Sequence, residues 1–251
     1  MRHLFQSWSE VAHKLSGASR IALFLDFDGT LASIRPTPEE VTLRNSLRRS
    51  LSRLSQRTRF FVCVISGRRQ CDIRQRVSVP SVRYLGLHGW EGRGVMPISD
   101  SAHLALESVK TWAGGLFANA PEVWVEDKGF SLAIHHRGAE ENIPMVREAI
   151  QKVVEPFEEE LRIVQAKNVS EVLPRELEDK GAAVRHQLGT LLAPAVPIYL
   201  GDDLIDEPAF AALRHGITVR IGRIRPTKAR YYLSNVGEVD RFLNRLEGQF
   251  A

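Results

Sequence analysis

Ile21 to Phe27, IALFLDF, is apolar at every position but one, and the exception, Asp26, stands near its carboxyl end. A strand that is apolar at consecutive positions has to be covered on both faces, which places it in the middle of a parallel sheet with helices on either side. The chain then continues through Asp28, Gly29 and Thr30. Two carboxylates one residue apart therefore sit where open α/β sheets bind ligands, in the crevice beyond the carboxyl ends of their strands. Like charges at that range raise each other's proton affinity, so the pair persists beside a cation or with one member protonated. Asp26 as a carboxylate could attack an electrophile, Asp28 could hold or remove a proton, and the backbone around Gly29 could bind an anion. Taken alone, the pair is better read as an Asx turn that ends a strand.

Three further stretches bear on that choice. Phe60 to Gly67 reads FFVCVISG, an apolar strand closed by Ser66, whose hydroxyl can donate to a phosphate oxygen without adding charge. Lys180 lies in EDKG, and Ile198 to Glu207 reads IYLGDDLIDE, with Asp202 and Asp203 directly after Gly201 and Asp206 one turn later. In this order the residues resemble the four motifs of the haloacid dehalogenase-like phosphatases: DxDGT, a Ser or Thr ending the next core strand, a Lys, and an acidic turn after a strand. The resemblance implies Asp26 as nucleophile, Asp28 as general acid and base, and Ser66 and Lys180 on the phosphoryl oxygens. It also implies magnesium, which suits several carboxylates and a donor set of oxygen alone. Asp26, the backbone carbonyl of Asp28, and Asp202 would hold the ion, while Asp203 and Asp206 orient its waters and Lys180.

Composition is that of a globular protein: 251 residues, 43% hydrophobic and 25% charged, enough for a core domain plus a smaller one. The first twenty residues mix charges with apolar residues, so neither a signal peptide nor a membrane span is expected, and a cytoplasmic location follows. Cys63 lies inside an apolar strand and Cys71 in a polar segment, without metal or redox spacing. The net charge of +4 raises nucleic-acid binding as a possibility. The arginines from Arg44 to Arg59, however, alternate with Val41, Leu43, Leu47, Leu51 and Leu54 as the wet face of an amphipathic helix, without aromatics for base stacking. No nucleic-acid or membrane partner is expected, and the chain is expected to be a monomer.

Strand and helix signals alternate from Ile21 to about Leu87 and again from about Gly181 to Leu246, which argues a Rossmann-like parallel sheet covered on both faces. The middle differs. Helical Ser101–Phe117 leads to a hairpin of Glu122–Val125 and Phe130–His136, and helical Ile143–Leu161 leads to strands at Arg162–Gln165 and Val169–Leu173. The expected fold class is α/β, a parallel-sheet core formed by residues 1–89 and 177–251 with an inserted α+β (αββαββ) cap at 90–176.

LGLHGWE at Leu85–Glu91, VEDKGFSLAIHHR at Val125–Arg137 and KNVSEVLP at Lys167–Pro174 resemble the trehalose-6-phosphate phosphatases over nearly the whole chain. That resemblance implies hydrolysis of trehalose 6-phosphate through an aspartyl phosphate, the last step of trehalose biosynthesis. The implied substrate-binding residues are Gly67, Arg68, His88, Lys128, His135, Arg137 and Glu171. Read without it, His135 and His136 are neighbours on an alternating hairpin, one ring packed and one wet. Three positions depart from the family pattern: Leu173 in place of Arg, Ile205 in place of Thr, and Pro208 in place of an acid. Other readings are a phosphatase for sucrose or glucosylglycerol phosphate, a phosphomutase, or a sugar-phosphate sensor without turnover.

Overall fold

The computed structural model describes residues 1–92, 98–136, 139, 142–165 and 168–250, which fall into two compact units. One comprises Met1–Gly94 with Asp179–Ala251, the other Val95–Glu178. Among the described residues no helix is long and apolar enough to cross a membrane.

In the first unit β2 (Ile21–Leu25) is buried at every position, as its composition requires. Its side chains alternate: Ile21, Leu23 and Leu25 enter one apolar cluster, Ala22 and Phe24 another on the opposite face. The seven-stranded sheet also contains β1 (Arg2–His3), β3 (Phe60–Ile65), β4 (Arg83–Leu85), β9 (Val196–Gly201), β10 (Ile217–Ile221) and β11 (Tyr231–Leu233). Their order is β1-β11-β10-β9-β2-β3-β4, and every neighbouring pair is parallel. Residues of α1 (Trp8–Ser16), α2 (Asn45–Ser55) and α8 (Val236–Phe250) fill the first cluster. Those of α6 (Lys180–Gly189) and α7 (Glu207–Ala212) fill the second, and α3 (Gln70–Val77) completes the alternation. The α/β class is that read from the sequence.

Several boundaries differ for local reasons. The strand predicted to reach Leu87 stops at Leu85, because Leu87 and His88 both adopt positive φ (47° and 59°). Val41 and Leu43 are buried, yet they precede α2 rather than lie on it. The last helix runs past Leu246 to Phe250, whose ring packs near Trp8. Pro208 falls in the first turn of α7, where a missing N–H costs no helical bond.

The second unit has the element order α4 (Asp100–Leu116), β5 (Trp124–Asp127), β6 (Leu132–His135), α5 (Ile143–Val154), β7 (Leu161–Gln165), β8 (Val169–Pro174). Its four strands form an antiparallel sheet in the order β5-β6-β8-β7. Leu132, Ile134 and Val172 pack with Leu106 and Val109 of α4 and with Val146 and Ile150 of α5. Strand alternation then puts Trp124, Glu126, His135 and Glu171 on the sheet face turned away from those helices. The helix predicted over Ile143–Leu161 is shorter: it yields to a 3-10 turn at Glu155–Phe157, where Pro156 cannot continue the α-helical ladder.

Candidate active site

The pairing of β2 with β9, with Leu25 opposite Leu200, delivers Asp26 and Asp202 side by side at the carboxyl edge of the sheet. Asp26 N donates to Leu200 O at 2.9 Å, which fixes the backbone there. Lys180 opens α6, whose N-cap Asp179 accepts from Ala182 N, and its side chain is completely buried. Its Nζ donates to Asp26 Oδ1 at 2.6 Å and to Asp206 Oδ1 at 2.7 Å. Asp206 also accepts from Tyr199 OH at 2.8 Å and from the Asp203 backbone N at 3.0 Å. Oxygens of Asp26, Asp202 and Asp206 all lie within 4.8 Å of one another.

This crowding has an electrostatic signature. Burial pushes the Asp26 carboxyl up to about 7; Lys180 opposes the shift, while Asp206 and Asp28 add to it. Asp202 is raised as well, by burial and then by Asp26, Asp206 and Asp203. Burial works against the Lys180 ammonium, yet Asp206 and Asp26 hold its proton affinity above the ordinary Lys value. One ammonium does not neutralise the three carboxylates, and the donors are all oxygen, so the site fits a hard divalent cation. Asp206 is committed to Lys180, Tyr199 and the Asp203 amide, leaving Asp26 and Asp202 as the carboxylates best placed to face an ion. The Asp203 carboxylate caps the next turn by accepting from Leu204 N.

Two glycines make the convergence possible. Gly29 has φ of 84°, and a Cβ there would stand 2.1 Å from Asp202 Oδ2. At Gly201 a Cβ would stand 2.3 Å from Asp206 Cγ. Any side chain at either position would push an acid out of the cluster.

Ser66 follows β3, the other neighbour of β2, so it reaches the same edge. Its amide donates to Leu85 O, and its carbonyl accepts from His88 N at 2.9 Å. Leu87 N donates to Arg68 O at 2.9 Å, so the positive-φ segment carrying His88 is stitched onto the Ser66-Gly67-Arg68 loop. His88 itself is buried. Arg68, expected to bind substrate, turns its guanidinium to Asp28, with Nε 2.8 Å from Oδ2.

In the second unit Lys128 Nζ donates to Glu171 Oε1 at 2.7 Å, both side chains being less than a tenth exposed. His135 Nε2 lies 2.8 Å from Glu126 Oε2, and its ring stacks on Trp124 at 3.8 Å and 9°. His136 is fully buried, and His135, between Trp124 and Glu126, is packed as well rather than wet. Leu173 is buried on the Glu171 face of β8. Arg137 lies outside the described residues.

Sequence reasoning overlooked Tyr199, Trp124, Glu126 and Arg220. Arg220 offered a signal, being a cation inside the apolar strand ITVRI. It is buried and donates to Glu207 Oε1 at 3.0 Å and to Asp203 O at 3.3 Å, bracing the acidic turn.

The trehalose-phosphatase family profile matches residues 24–236, a span that takes in every element of this site. The chain belongs to that family. Among curated members, the trehalose-phosphate phosphatase of Mycobacterium tuberculosis is 34% identical over 92% of this chain and that of Mycobacterium leprae 32% identical over 93%. The chain spans 62% of the length of the former and 59% of the latter. Among solved structures, the C-terminal domain of Candida albicans trehalose-6-phosphate phosphatase superposes with a TM-score of 0.83 at 20% identity, covering 96% of both chains. A trehalose-6-phosphate phosphatase related protein gives 0.74 at 23% identity, covering 90% of this chain and 97% of that one. These likenesses establish the fold.

Proposed function

We propose that the chain is a phosphatase that hydrolyses trehalose 6-phosphate to trehalose and inorganic phosphate. The observation that carries this reading is the Lys180 ammonium, buried and shared between Asp26 and Asp206 beside Asp202. A buried cation so placed can bind the oxygens of a transferring phosphoryl group while orienting the carboxylate that attacks it.

Asp26 attacks phosphorus in line; the new bond runs from its carboxylate oxygen to phosphorus, and the bond from phosphorus to the sugar oxygen breaks. Asp28 supplies the proton that the departing oxygen takes up. Water then attacks the aspartyl phosphate, giving a proton back to Asp28 as phosphate leaves and Asp26 is restored. Ser66 and Lys180 stabilise the phosphoryl oxygens throughout. A divalent cation of the magnesium class, held by Asp26, Asp202 and the backbone carbonyl of Asp28, would supply charge neutralisation and Lewis acidity. Lys128, His135 and Glu171 are proposed to answer the sugar hydroxyls with charge-assisted hydrogen bonds.

The test is phosphate release from trehalose 6-phosphate, sucrose 6-phosphate, glucosylglycerol phosphate and glucose 6-phosphate, compared by kcat/KM. The disaccharide of trehalose should lead. A faster rate on another glycoside phosphate would keep the chemistry and overturn the substrate, a result that Leu173 in place of the family Arg makes worth seeking. No release from any of them, in a folded protein with magnesium, would overturn both.

A further inference from the structure

Asp28 is the acid and base of that reading, yet nothing in β2 itself orients its carboxylate, which projects from the turn after the strand and is over a third exposed. Its orientation comes from Arg68. Nε donates to Asp28 Oδ2 and an Nη2 hydrogen to Asp28 Oδ1, both at 2.8 Å, a fork that fixes the plane of the carboxylate as well as its position.

The fork is itself held on its other sides. Nη1 donates to Asp72 Oδ2 at 2.9 Å, the second Nη2 hydrogen to Pro38 O at 3.0 Å, and the guanidinium lies 5.7 Å from the Phe27 ring. Asp72 is fixed in turn by Arg76, one turn along α3, whose Nε donates to Asp72 Oδ1 at 2.7 Å and whose Nη1 reaches Val41 O at 2.7 Å. Four of the five guanidinium donors of Arg68 are thus spent within this unit, and its side chain is only 13% exposed. Each Asp28 oxygen keeps a second lone pair, so the clamp leaves the carboxylate able to meet a water or a departing hydroxyl.

We propose that Arg68 is a positioning residue for the acid/base step, aiming Asp28 through a chain of contacts anchored in α3, rather than a residue that binds substrate. The proposal rests on the phosphatase reading above and adds to it the device that points the proton carrier.

An aryl phosphate separates this role from others, because its leaving group departs without a proton while a sugar oxygen needs one. In kcat/KM, which reports events through the first irreversible step, Arg68→Met should cost about tenfold or more on the best sugar phosphate and less than about threefold on para-nitrophenyl phosphate. Arg68→Lys, which keeps the charge but not the fork, should resemble Arg68→Met. In an Asp28→Asn background neither substitution should cost much further, since the group being aimed is gone. Equal losses on the two esters, losses that add fully to that of Asp28→Asn, or a rise confined to KM for the sugar phosphate would each overturn the proposal. Should Arg68→Met fail to fold, Arg68→Lys and Asp72→Asn carry the same comparison. If the unaltered protein hydrolyses neither ester, the phosphatase reading fails and takes this one with it; if it hydrolyses both and the selectivity is unmoved, this proposal alone fails.

Discussion

Asp26 answers to two demands at once: attack requires a carboxylate, and burial among Asp202 and Asp206 resists one. Its carboxyl is pushed up to about 7, so the folded chain binds that proton more tightly than an unfolded chain, where an Asp titrates near about 3.9. Stability should therefore fall as pH rises between those two values and then level off, since the folded state alone retains the proton in that window. Asp26→Asn removes the penalty. In chelator, the variant should gain on the unaltered protein by a few kcal/mol between about pH 5 and about pH 8, read from urea melts, while losing phosphate release. Melts that stay parallel across that range would contradict the electrostatic account. Tyr199 makes a related point about what a sequence conceals. In the strand VPIYLG its ring reads as core, which it is, since it packs against Phe210. The hydroxyl that reaches Asp206 becomes visible only once the acidic turn folds back over β9.

Among the elements, the strands of the second unit carry the clearest energetic test. Lys128 follows β5, Glu171 lies in β8, and both charges of the pair are buried. Removing one charge of a buried pair is costly, whereas replacing both by apolar groups is often neutral. Glu171→Ala should destabilise the protein by about 3 kcal/mol or more, and adding Lys128→Met should return much of that, while both variants lose discrimination between di- and monosaccharide phosphates. Equal melting of Glu171→Ala and the unaltered protein would refute it. The long apolar strands and the polar residues that end them, Asp26 and Ser66, were legible, because Ile21–Leu25 and Phe60–Ile65 carry their burial in composition and the motifs mark the turns. The edge was not. Arg2–His3 and Tyr231–Leu233 are too short to show a period, and they are strands only because each lies beside a partner, β11 for the first and β1 and β10 for the second. The stacking of Trp124 on His135 likewise depends on strand register, which local pattern does not fix. α1 did carry a signal, Trp8, Val11 and Leu15 at helical spacing, which a search for targeting segments passes over.

At the scale of the molecule, the acidic cluster couples cation binding to folding. An ion that binds only the folded chain stabilises it by about 2.7 kcal/mol at a hundred times its dissociation constant. Magnesium should raise the melting temperature near about pH 8, calcium should do so too with little turnover, and Asp202→Asn should abolish both shifts. A melting temperature indifferent to either ion would dismiss the cluster as a metal site. The burial of Lys180 has a further consequence, for the order in which the chain comes together. Its contact with Asp26 closes over 154 residues, and the whole second unit lies in the intervening chain. An ammonium cannot shed water in advance of the carboxylates that replace it, so β2 must find β9 and α6 must dock before the charge can be enclosed. Loop closure of that span comes before any reward from the contact itself. Enclosure of the Lys180 charge is therefore expected late in folding, and Lys180→Met should speed unfolding far more than it slows folding; equal effects on both rates would contradict that order.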